Sequence, residues 1–100
     1  MARLDVHVRR DRGAGYLLDV QADLLSGLNT RFVVPLLPLG EAPAPAARLN
    51  PLFDIAGQRY VMVTQFAAAV HISELGERVS SLPQAHDVIT AALDLLITGV

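Results

Sequence analysis

A mainly β domain closed by one C-terminal α-helix is the fold class that this sequence of 100 residues predicts. Three observations predict it. The N-terminal residues alternate apolar and polar side chains with the period of a strand, and clusters of turn residues separate several further apolar runs. Only the C-terminal segment carries apolar side chains at helical spacing. A chain of this length makes one domain, residues 1–100, with room for a single modest core.

Each element follows in order. Leu4, Val6 and Val8 alternate with Asp5, His7 and Arg9, the pattern of a half-buried strand. The run "DRGAG" supplies a turn, and "YLLDVQADLL" resumes as an extended segment that pairs back on the first strand. "RFVVPLL" from Arg31 reads as a third strand, in which Pro35 argues for an edge or a bulge. "PLGEAPAPAARLNP" carries four prolines and sustains neither ladder nor helix, so a mobile surface loop is expected there. "LFDIAGQRYVMVTQF" reads as a hairpin turning at Ala56-Gly57, and "AAAVHISELG" as a further strand and turn.

The period then changes. Ser80 or Ser81 suits an N-cap, Pro83 has the fixed φ of a first helical turn, and Asp87 complements the helix dipole. A helix over about Leu82 to Ile97 follows. Asp87, Thr90 and Asp94 form one narrow polar stripe, while Val88, Ile89, Ala91, Ala92, Leu93, Leu95, Leu96 and Ile97 cover the rest of the circumference. An ordinary surface helix buries one stripe, whereas this one is expected to bury most of its perimeter. One thin sheet does not offer enough surface for that, so a homodimer is expected.

Composition narrows the function. Apolar residues reach 52% and charged residues only 18%, a balance that favours hiding surface in an oligomer. A net charge of −2 and a pI near 5.8 lack the basic excess of a surface that tracks phosphates, so no direct nucleic-acid partner is expected. There is no cysteine and no apolar run long enough to span a membrane, which fits a cytoplasmic protein. His7, His71 and His86 lack metal-ligand spacing, and no metal or cofactor is expected.

The segments "YLLDVQADLL", "RFVVPLL", "VMVTQFAAAVHISELGERV" and the closing "DLLITGV" together resemble the CcdB family, toxin components of bacterial toxin–antitoxin modules. "DVQAD" and a closing helix with a penultimate glycine are the most specific parts. The resemblance implies a small SH3-like barrel or twisted antiparallel sheet of the CcdB/MazF type, a C-terminal helix and an intimate homodimer. It also implies a non-enzymatic toxin of plasmid-maintenance type. The best-known members bind the A subunit of DNA gyrase and trap its cleaved-DNA complex, and a CcdA-like antitoxin with a disordered tail neutralises them.

Carried over by position, the target-binding surface would comprise Asp94, Ile97, Thr98, Gly99 and Val100, with Ala22, Leu24 and Leu25. The residues alone support a second reading, in which Ile97 and Val100 pack in the dimer and Gly99 is an ordinary C-cap. One departure matters. Gyrase-poisoning members carry tryptophan before the glycine, and here that position is Thr98, which offers no ring to stack on an arginine.

The remaining candidates are sparser. Asp19 and Asp23 could pose as paired carboxylates, but the residues favour a role in fixing turns. Arg9, Arg10 and Arg12 form a short basic run beside a turn; Arg10 and Arg12 are the candidates for meeting an acidic antitoxin tail. The relationship to MazF raises an endoribonuclease, with Arg10 or Arg12 stabilising a phosphate, and a dimer with a lost or exchanged target is a further alternative. For the nuclease, no nucleophile-activating group is legible beside the arginines.

Overall fold

The structure, a computed structural model, describes residues 2–100. The alternating N-terminal run forms β1 (Asp5–Arg9), which pairs antiparallel with β2 (Tyr16–Asp19), Val6 lying opposite Leu18. The connection depends on Gly15. Its φ is +80°, and a Cβ there would collide with the Leu36 carbonyl oxygen, so no other residue fits. Strand β3 (Thr30–Pro38) is the spine, with β2 along one edge. Its other edge is shared: β5 (Gln58–Met62) pairs with Leu36 to Pro38, and β6 (Ala68–His71) with Thr30 to Val33. At the margins, β4 (Leu52–Ile55) flanks β5 and β7 (Leu75–Ser81) flanks β1. The β4–β5 turn falls on Ala56-Gly57, as expected, with Ile55 opposite Gln58.

A short crossing bends this sheet. In a flat sheet β6 and β7 would stand four strand positions apart, about 19 Å. The link from His71 to Leu75 reaches at most about 14 Å. The sheet therefore curls into a half-barrel, and the 3-10 turn Ile72–Glu74 is stitched to both sides of the seam, Ile72 N donating to Asn29 O and Arg10 N to Glu74 O.

Three local expectations are corrected. The extended run does not continue through Leu25: β2 ends at Asp19, and Asp23–Leu25 forms a 3-10 turn. Asp19 Oδ1 accepts from Gln21 N, and the Gln21 side chain then donates to Leu25 O and Thr30 O and accepts from Phe32 N. One glutamine thus takes the place of a strand neighbour. Pro35 lies in the central strand, with neither an edge nor a bulge. Val63 N donates to Pro35 O, so the polar groups of Pro35 face the β5 side, and pairing with β2 loses nothing. The proline-rich stretch is anchored by the buried Asn50, which accepts from Ala46 N and donates to Met62 O and Gln65 Oε1.

Helix α1 (His86–Thr98) begins later than expected. Ser80 and Ser81 belong to β7, and Ser81 Oγ donates to Leu4 O, so neither caps the helix. A 3-10 turn at Pro83–Ala85 leads in, with Pro83 at its first position, and Asp87 stands in the first helical turn. Ile89 and Ala92 are fully buried against Leu18, Val34, Leu36 and Met62. The helix buries only this stripe within one chain. Val88, Leu96 and Ile97 remain exposed, so the expected burial of most of the perimeter does not occur in the single chain.

Candidate functional site

The end of α1 is built to project. Gly99 adopts φ +78°, and its N–H donates to Leu95 O at 3.0 Å, closing the helix with a left-handed cap. Open space surrounds the position where its Cβ would be, so conformation and not crowding selects glycine there. Thr98 Oγ1 donates to Asp94 O at 2.7 Å, which turns the hydroxyl back onto the helix. Ile97 and Val100 are 72% and 77% exposed. Those two apolar side chains flank the left-handed cap and face water.

A second apolar projection lies after β2. Ala22 enters the Asp23–Leu25 turn with extended backbone and no side-chain cap, leaving Leu24 93% exposed and Leu25 and Leu28 also exposed. Arg3 ties this turn to α1. Its N–H donates to Asp23 Oδ1 at 2.7 Å, its Nε to Val20 O at 3.2 Å and its Nη2 to Thr90 Oγ1 at 3.4 Å. Asp94 and Ile97 lie one and two turns further along the helix, about 6 and 11 Å in rise. Sequence reasoning missed Arg3, since nothing in an isolated N-terminal arginine signals three long-range partners.

The basic turn is less free than its charge suggests. Arg9 clamps Asp11 through Nε and Nη2 at 3.1 and 2.9 Å. This hydrogen bonding, with help from Gly13 N–H, holds the Asp11 carboxyl below its ordinary value. Arg10 Nε donates to Leu75 O, while Arg12 stands exposed at φ +61°. Asp19 and Asp23 each hold a separate structural partner. Asp19 is completely buried with Arg31 Nε 3.5 Å from its Oδ2, and Asp23 holds Arg3. Burial pushes the Asp19 carboxyl up, opposed by the Gln21 N–H and by Arg31. The histidines lie apart: His7 Nδ1 contacts Gly76 O inside the half-barrel, His71 caps the Ile72–Glu74 turn, and His86 lies beside Asp87. Among the described residues no group of three or more His, Cys, Asp or Glu is placed to hold a metal.

A groove of about 150 Å³ opens beside the basic turn. Strands β2 and β3 contribute Leu17, Val33 and Pro35, and the segment entering β6 contributes Phe66, Ala68 and Val70. Arg9, Asp11 and Glu74 add charge around it. These residues come from distant stretches of chain, and no local pattern announces them.

The fold has a solved counterpart. The structure matches an endoribonuclease in complex with its cognate antitoxin from Mycobacterial species, with a TM-score of 0.75 over 94% of this chain and 91% of that one. Identity is 17%, so the match speaks for the fold. The sequence itself goes further. A family model described as CcdB protein matches residues 3–99, nearly the whole chain, and the chain belongs to the CcdB family of toxins.

Proposed function

We propose that this toxin acts without catalysis, as a homodimer that holds a protein target with its helix tips, and that a CcdA-like antitoxin neutralises it. The observation that carries this reading is the uncovered apolar tip, Ile97 and Val100 about the left-handed Gly99 cap, reinforced by the exposed Leu24 and Leu25. Exposed apolar side chains grouped together mark interaction surfaces. The outward Val88 and Leu96 support a helix-mediated dimer. The target class is a topoisomerase of the gyrase A type. Because Thr98 returns its hydroxyl to Asp94 and has no ring, binding to the gyrase A subunit of a laboratory bacterium is weak, and Thr98→Trp strengthens it by about 30-fold or more. The basic turn, Arg12 foremost, meets the antitoxin's acidic residues.

The experiment is induced expression of wild type, Thr98→Trp and a chain lacking Thr98 to Val100, with growth, DNA breaks and gyrase A binding as readouts. The truncation is expected to keep its helical circular dichroism and its dimer mass while losing toxicity and target binding, because a terminal tip is lost without opening the core. Full toxicity of the truncated chain overturns the tip mechanism. Growth arrest with cleaved RNA and intact DNA selects the endoribonuclease reading, which the structural neighbour's activity favours.

A further inference from the structure

We propose that Arg3 is a positioning residue, which holds the Leu24 turn in register with α1 so that two apolar projections present one surface to the protein target. The proposal rests on the reading that this toxin grips a protein with both projections. It names what sets their spacing.

The two projections are held unequally. Helix α1 is seated in the core by Ile89 and Ala92, both fully buried, so the place of its tip follows from the sheet beneath. The Asp23–Leu25 turn has no buried residue. Its internal bonds, Leu25 N to Ala22 O and Ser26 N to Asp23 O, fix its shape without fixing where it stands relative to the helix. A short segment with no side chain in the core belongs to the part of a structure that opens most easily. Gln21 ties this turn to the start of β3. Arg3 ties it to α1.

Arg3 reaches three places at once. Its backbone N–H holds Asp23 Oδ1 inside the turn, its Nε holds Val20 O where the chain leaves β2, and its Nη2 meets Thr90 Oγ1 on the helix. A planar guanidinium keeps such a fork in shape, whereas a lysine ammonium on a flexible stem does not. The base from which Arg3 projects is fixed too. Residues Ala2 to Asp5 form a tight turn closed by Asp5 N donating to Ala2 O, and Leu4 takes its third position at φ +72°, a region that favours glycine. Leu4 is nonetheless buried in the core, its N–H donating to Asp19 O and its carbonyl accepting from Leu82 N. A backbone outlier persists where its surroundings over-determine it, and this one aims the neighbouring arginine across the gap between turn and helix.

The test reads a distance first and binding second. The chain has no cysteine, so spin labels at Leu24→Cys and Asp94→Cys report the spacing of turn and helix without competing thiols. Labelled chains are diluted with unlabelled ones, so that the distance within one chain is read. Arg3→Met keeps the apolar stem and the backbone bond to Asp23 but removes the guanidinium, and is expected to broaden the distance distribution. Thr90→Val, which removes the acceptor at the other end, broadens it likewise and adds nothing to Arg3→Met. It also serves if Arg3→Met fails to fold. Arg3→Lys falls between wild type and Arg3→Met. The binding probe is the gyrase A subunit of a laboratory bacterium, offered to the Thr98→Trp chain. Adding Arg3→Met there weakens binding by about 10-fold and shrinks the cost of Leu24→Ala, since a displaced turn no longer delivers Leu24. A loss of stability alone moves the urea midpoint and neither the distance nor this coupling. An unchanged distribution in Arg3→Met and Thr90→Val overturns the proposal, and so does unchanged gyrase affinity in a chain whose distribution has broadened. If the Thr98→Trp chain does not bind gyrase A, the target reading fails on its own, and the distances alone decide whether Arg3 sets the register.

Discussion

The two faces of the sheet bury different chemistry. Under α1, the inward residues of β1, β2 and β3 are Val6, Leu18, Val34 and Leu36, closed over by Ile89 and Ala92. On the other face, inside the curl, the same three strands bury Asp5, His7, Asp19 and Arg31 beside the apolar Leu17 and Val33. Hydrocarbon needs only shape and volume to be content, but the charged side needs each partner in place. One face therefore tolerates repacking, and the other sets conditions. The comparison also teaches how alternation should be read: polar residues at every second position declare a second face, without declaring that water lies on it.

The strongest way to break this picture is to remove one ion of the buried pair. Arg31→Met leaves the Asp19 carboxylate buried without its arginine and is expected to cost about 3–5 kcal/mol in urea unfolding. Adding Asp19→Leu should recover most of that loss, since two apolar side chains replace the pair together. If the double variant is no more stable than the single one, the loss comes from shape and not from an uncompensated charge.

Within the helix, two isoleucines sharpen the contrast. Ile89→Ala opens a cavity under α1 and is expected to cost about 2–4 kcal/mol, whereas Ile97→Ala is expected to stay within about 0.5 kcal/mol. Both are read by urea midpoints. A comparable loss at Ile97 that does not change with protein concentration would mean that the tip is packed within its own chain.

The smallest effect is a slope. Burial raises the Asp19 pKa above 3.8, so its contribution to stability is full below 3.8 and is lost as pH rises through the native value. Wild type is therefore expected to gain on Asp19→Asn as the buffer is acidified from neutral toward pH 3.8. Asp11, lowered by Arg9, has the opposite sign: its contribution is present above 3.8 and lost as pH falls through its native value. Repeating the series in an Asp11→Asn background isolates the buried group. A gap that widens against wild type on acidification would reverse the assignment for Asp19.

Much of the fold was legible because strands and turns are written locally. The first strand, the Ala56-Gly57 hairpin, the Pro83 lead-in and the Gly99 cap all depend on neighbours in sequence. Strand β7 was not legible, since "LGERVSS" offers two serines, a glycine and an ion pair's worth of charge where a strand would show alternation. Its place is set by β1 and by the short crossing from β6. Asn50 hid in a proline-rich run for the same reason: its partners Met62 and Gln65 are distant in sequence. Of the candidate site, the residues carried over by resemblance include Leu24, Ile97 and Val100, which are exposed in the single chain, whereas Arg3 and the groove arise only from tertiary contact.

Pro35 has a consequence for the folding chain. Two strands compete for one edge of β3, and both β5 and β6 are short enough to slide along it. Val63 donates to Pro35 O, but the reciprocal bond cannot form because proline has no N–H. If β5 slid toward the start of β3, one of its acceptors would lie opposite that missing donor, and if β6 slid toward the end it would meet the same gap. The proline works as a frontier between β5 and β6, giving each a private stretch of template and making the swapped or slipped pairing the costlier one.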